Sequence, residues 1–141
     1  HDGSMALIEN ITDIADAYIE CSVKTSSSKA FRDENLQIPT WIGIEYMAQT
    51  IAAYAGWMDR KEGKPVSVGF LLGCRNLSLQ TDFFIDETIY IQAKLVFRNE
   101  ELGSFKCVIL SEDKQSILAE AVVNVFQPEN IDQFIKETNI K

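Results

Sequence analysis

Glu45 is the residue best placed to do chemistry. It lies about one turn into a stretch, Trp41 to Met58, that is otherwise almost wholly apolar, and Gln49 follows four residues later on the same helical face. Two influences act on a carboxyl in that position. The positive end of a helix favours its charge, while burial favours its proton. An unperturbed Glu titrates near ~4.3, and a dry site raises that by several units. A carboxyl kept neutral this way can donate a proton at pH 7. The competing reading is a structural Glu satisfied by backbone amides or by Gln49. The helix start supplies the second feature. The amides around Ile42, Gly43 and Ile44 have no partner inside the helix, and Gly43 lets another backbone or a ligand come close. Such amides suit an acyl oxygen gaining negative charge, as in a thioester. Gly43 can equally just make room for a packed strand.

His1 is the chain's only histidine, so any proton-abstracting imidazole it contributes is this one. The alternative is that His1-Asp-Gly-Ser-Met5 is the remnant of an expression tag. Cys21, Cys74 and Cys107 are odd in number, and no pair has metal-ligand spacing. They read as free thiols in a reducing cytoplasm. Cys21 and Cys107 fall in apolar strand-like runs that disfavour a thiolate nucleophile.

The element that must position these groups is a helix. Pro39-Thr40 opens it, with Thr40 as the cap, and it runs to about Glu62. Arg60 and Lys61 suit its negative end, Gly63 suits a left-handed cap, and Pro65 stops continuation. The helix is apolar nearly all round, which predicts burial on most sides. Ile14 to Thr25 alternates like a strand with one wet face. Ser26 to Lys29 reads as a loop, and Phe31 to Ile38 is charged and irregular. After Pro65 the chain reads as strands: Val66–Leu72, Ile89–Phe97, Gly103–Leu110 and Ile117–Phe126. Asn99-Glu-Glu101 and Glu112-Asp-Lys114 are the turns between them. Such even spacing predicts an antiparallel meander. Ile131 to Ile140 reads as a short amphipathic C-terminal helix. A sheet curling around one apolar helix gives an α+β fold, and one sheet cannot cover that helix on every side, so a second subunit is expected.

The chain as a whole sets limits. Its 141 residues fit a single domain spanning 1–141, large enough to need no metal or disulfide. No apolar run reaches the ~18 residues of a membrane span, and the polar start lacks a secretory pattern. The net charge of −8, with no stripe of Lys and Arg, disfavours nucleic acid. An acidic protein partner would need a local basic patch, for which Arg60, Lys61 and Lys64, with Arg32 or Arg75, are candidates. The same residues also read as a solvated helix end.

The run Ile38-Pro-Thr-Trp-Ile-Gly-Ile-Glu45-Tyr-Met-Ala-Gln49 resembles the helix motif of the 3-hydroxyacyl-[acyl-carrier-protein] dehydratases. Together with Val68-Gly-Phe-Leu-Leu-Gly-Cys-Arg75 it is similar to the dehydratase-like branch called ApeP, associated with aryl polyene lipid clusters. That branch begins with Pro-His, then a Gly, a Met and an apolar run; His1-Asp-Gly-Ser-Met5-Ala-Leu-Ile8 matches apart from the Pro. The resemblance covers most of the chain. It implies a hot-dog fold, a long central helix wrapped by a curved antiparallel sheet, with active sites shared between subunits. It implies Glu45 as the catalytic carboxyl, the amide of Gly43 on the thioester oxygen, and His1 as base. Ile44 and Gln49 would line the substrate, and Phe70, Leu72 and Phe83 an apolar tunnel. It implies a carrier protein bearing a phosphopantetheine thioester as partner, and no cofactor or metal. Better-known relatives carry their histidine in a Gly-His-Phe-Pro-Gly segment just before the helix, where Lys29 to Pro39 here has none. Phe84-Ile-Asp-Glu87, where relatives often have a Gly, suggests an altered turn. Three readings follow: a dehydratase, an acyl thioesterase in which Glu45 activates water, and a non-catalytic subunit of a hot-dog heterodimer.

Overall fold

The computed structural model describes residues 8–25, 38–39, 42–65, 69–80, 83–84 and 87–127. Eight strands and one long helix lie within them: β1 (Asn10–Ala15), β2 (Tyr18–Lys24), β3 (Ile38–Pro39), α1 (Ile42–Lys61), β4 (Phe70–Leu79), β5 (Phe83–Phe84), β6 (Thr88–Asn99), β7 (Leu102–Leu110) and β8 (Ile117–Phe126). Six strands form one antiparallel sheet in the order β1-β2-β6-β7-β8-β4, and β3 pairs with β5 in a separate two-stranded sheet.

Alternation along the strands builds the core. Ile19, Cys21 and Val23 of β2, Ile89, Ile91 and Ala93 of β6, Phe105, Cys107 and Ile109 of β7, and Ala119, Ala121 and Val123 of β8 all face one side and are buried. A period of two puts every second residue on that face, where the helix covers it. The helix answers with Ile42, Tyr46, Met47, Ile51 and Tyr54. Tyr54 meets Phe105 edge-on, with ring centroids 5.6 Å apart. At the helix end Gly63 adopts φ +70, the Lys64 amide donates to the Asp59 carbonyl at 2.8 Å, and the Gly63 amide donates to the Arg60 carbonyl at 3.1 Å. These are the two bonds of a Schellman cap, and they bear out the stop expected at Gly63.

Several sequence expectations change. The strand expected over Ile14 to Thr25 is two strands around a turn at Asp16-Ala17. The Tyr54 hydroxyl donates to the Asp16 carbonyl, and Lys61 Nζ lies 3.0 Å from the Asp16 carboxylate, so the helix clamps that turn. Alternation alone cannot show a reversal that distant residues hold. The strand expected to end at Leu72 continues to Leu79, with a register shift between Arg75 and Ser78 and Asn76 at φ 55. It pairs with β8 and not with its sequence neighbour β6, so only β6-β7-β8 form the expected meander. Within the chain the helix keeps one open side: Glu45 and Ala52 are exposed, as are Arg60 and Lys61 at its end. One sheet covers one side only. The Thr40 cap and the helix expected over residues 131–140 lie outside the described residues.

Candidate active site

The helix N-terminus gathers four of the candidate site residues, Gly43, Ile44, Glu45 and Gln49. Ile42 and Gly43 are buried, Ile44 is half-buried, and Glu45 is exposed. Gln49, one turn on, donates from Nε2 to Glu45 Oε1 at 3.1 Å. The spacing of four places both side chains on one face, and the amide holds the carboxylate in one orientation. The helix starts at Ile42, and the amides of a first helical turn, here those of Ile42, Gly43 and Ile44, have no partner within the helix. Their summed dipole favours a developing negative charge there.

The dry setting expected for Glu45 is not formed by this chain alone. Its carboxyl faces outward because the sheet lies on the opposite side of the helix, behind Tyr46, Met47 and Thr50. Leu72 lies on β4, 60% exposed, and Phe70 opens the same strand. Leu72 lines a cavity of about 360 Å³ with Phe97, Leu102, Ser104 and Asn124, none of which belongs to the helix. A larger cavity of about 800 Å³ lies at the other end of the helix, floored by Ile51, Met58, Leu95 and Phe105. Neither is lined by residues 42–49. The structure therefore brings Gly43, Ile44, Glu45 and Gln49 together and leaves Leu72 apart from them. His1 lies outside the described residues, and no histidine occurs among them.

Two of the thiols are held as thiols, as expected. Burial pushes Cys107 up to about 12, and burial pushes Cys21 up to about 11 against the lowering influence of the nearby Thr50 hydroxyl. Cys74 is exposed. Among the described residues no group of His, Cys, Asp and Glu could hold a metal ion. Of the basic residues named for docking, Lys61 is paired to Asp16, Lys64 lies 3.7 Å from Glu62, and Arg60 and Arg75 are exposed. Arg32 lies outside the described residues.

Sequence reasoning missed one buried carboxylate. Glu20, read as part of a wet strand face, is 5% exposed. Its Oε1 accepts from Thr12 Oγ1 at 2.7 Å and Lys114 Nζ at 3.1 Å, and its Oε2 accepts from Gln92 Nε2 at 2.9 Å. Burial alone would push its carboxyl up, but these hydrogen bonds and the Lys114 charge prevail and hold it below the usual carboxylate range. Lys114 also stands 4.3 Å over the Tyr90 ring. It lies 94 residues from Glu20 along the chain, so no local signal could have found the group.

Comparison with known proteins identifies the fold and the family. The chain matches a chain of the dehydratase heterocomplex ApeI:P from Xenorhabdus doucetiae at 29% identity and a TM-score of 0.90, covering 99% of this chain and 93% of that one. It also matches the E. coli PaaI protein of the phenylacetic acid degradation operon, at 7% identity and a TM-score of 0.66 over 86% of this chain and 80% of that one. A hypothetical thioesterase with coenzyme A from Streptococcus pneumoniae matches at 11% identity and a TM-score of 0.63 over 84% of each chain. At such identities the last two show the fold alone, which is the hot-dog fold. No curated protein matches the chain. The family model described as ApeP dehydratase matches residues 1–136, so this chain belongs to the ApeP-like dehydratase family.

Proposed function

We propose that the chain dehydrates a 3-hydroxyacyl thioester on an acyl carrier protein to the trans-2-enoyl thioester, working beside a second hot-dog subunit. The observation that carries this reading is Glu45, oriented by Gln49 at the start of a helix whose free amides can hold a thioester oxygen. Membership of the dehydratase family supports the reaction class. Amide hydrogen bonds to the thioester carbonyl acidify the proton on the α-carbon. A base removes that proton, the C3–O bond breaks, and Glu45 protonates the departing hydroxyl, which leaves as water. The aryl polyene setting associated with the family is part of the same proposal.

The second subunit is supported by three features. The related Xenorhabdus protein is a heterocomplex. Glu45 is open on the side the sheet does not cover. The edge strand β4 exposes Leu71, Leu72, Leu77 and Leu79 by 45–60%, and an apolar edge is a template for pairing. The missing histidine before the helix favours a variant of the reading, in which the base comes from His1 or from the partner.

The test is a product assay. The chain, with and without its partner, is given a 3-hydroxyacyl carrier protein, and 2-enoyl thioester and free thiol are both measured. Enoyl product is expected, and Glu45→Gln should lower turnover by ~10²–10⁴-fold with the fold intact. Free thiol in place of enoyl product would instead mark a thioesterase. An unchanged rate in Glu45→Gln removes Glu45 from the mechanism.

A further inference from the structure

Arg75 is the only charged side chain in β4, Phe70-Leu-Leu-Gly-Cys-Arg-Asn-Leu-Ser-Leu79. It is exposed, it stands mid-strand among exposed leucines, and it makes no ion pair with any described residue. Its register partner is Val122, next to the fully buried Val123, so Arg75 points to the outer face of the sheet, away from the helix. Among the described residues no other strand lies beyond it, because β4 ends the strand order.

From this we propose that Arg75 selects the partner. It disfavours a second copy of this chain along β4 and favours a different hot-dog subunit whose edge strand presents a carboxylate at the facing position. The inference rests on the reading that β4 is the partner edge. Two copies joined along β4 with their helices on the same side of a continuous sheet are related by a two-fold axis perpendicular to that sheet. Like residues then face like residues across the axis. The register shifts of β4 leave Gly73 to Arg75 as its regular middle, and the registers that pair the two strands about that middle and near their midpoint centre on Cys74 or on Arg75. Centred on Arg75, the two arginines stand directly opposite, with Cβ atoms roughly 4.5–5.5 Å apart; centred on Cys74, they are diagonal neighbours on one face at roughly 7–8 Å. Like charges so placed repel, and the net charge of −8 on each copy adds to that repulsion. An Asp or Glu on a foreign edge strand turns the same contact into attraction. Specificity then comes from a penalty on the wrong partner as much as from a gain with the right one.

The test needs only this chain. Wild type and Arg75→Glu are each examined by sedimentation equilibrium, then mixed in equal amounts. In the mixture the arginine of a wild-type copy faces the carboxylate introduced on the variant copy, and association is expected to be about tenfold tighter than for either chain alone. Arg75→Gln alone should self-associate more tightly than wild type. Thermal melts check that both variants fold. A mixture no tighter than wild type, or no association in it at all, overturns the role of Arg75. The double variant Leu77→Asp/Leu79→Asp, carried into the same mixture, tests the underlying reading separately. Association that survives it does not run along β4, and the partner edge itself is then wrong.

Discussion

The two edges of the six-stranded sheet differ in what they leave exposed. β1, Asn10-Ile-Thr-Asp-Ile-Ala15, is short and half polar, and it carries a register shift between Ile11 and Asp13. It is tied inward: Thr12 bonds to the buried Glu20, and the following turn is held by Tyr54 and Lys61 through Asp16. β4 is ten residues long, and its leucines stand about half exposed. β4 carries register shifts of its own, between Leu71 and Gly73 and between Arg75 and Ser78, so length and polarity are what separate the two edges: short, polar edges resist pairing with another chain, and long apolar ones invite it. The fold thus closes itself at one side and leaves the other suited to a second subunit.

The contrast can be broken experimentally. The largest expected effect is on assembly. Leu77→Asp with Leu79→Asp should weaken association with the partner subunit by ~100-fold or more, since two exposed apolar contacts become charges buried in the interface. Ile11→Asp on β1, which is 47% exposed like the leucines, should leave association unchanged in the same titration. Equal losses from both changes would erase the distinction between the edges.

A second prediction concerns the anchor. Glu20→Leu should lower stability by about 2 kcal/mol in urea unfolding, because Thr12, Gln92 and Lys114 lose hydrogen bonds to a charged group. The pH dependence follows from the direction of the shift. The folded carboxyl is held below its unfolded value, so its contribution is present above ~4.3 and is lost as pH falls through the folded value. The gap between wild type and Glu20→Gln should thus narrow as the pH is lowered from neutrality through that range. A gap that widens on acidification would contradict the assignment. The smallest effect is expected from Tyr54→Phe, about 1 kcal/mol, as the turn between β1 and β2 loses its bond to the helix. Hydrogen exchange should then rise at residues 10–18 and stay unchanged in β4.

Much of this was legible in the residues themselves. The helix over 42–61 follows from its apolar run and from Gly63 and Pro65 beyond it, and β6, β7 and β8 follow from alternation and short turns. These signals are local, carried by period and by backbone preference, and they survive without knowledge of the rest of the chain. The pairing of Glu45 with Gln49 was legible for the same reason, since a spacing of four fixes neighbours on a helix. Tertiary structure decided the rest. It placed β4 beside β8, made an edge of a run that reads like any other strand, and buried Glu20 under a lysine 94 residues away. It also turned Glu45 outward, because a single sheet can cover only one side of a helix whatever the helix is made of. Strand order and burial depend on which distant surfaces meet, and that information is spread over the whole chain and not held at any one position.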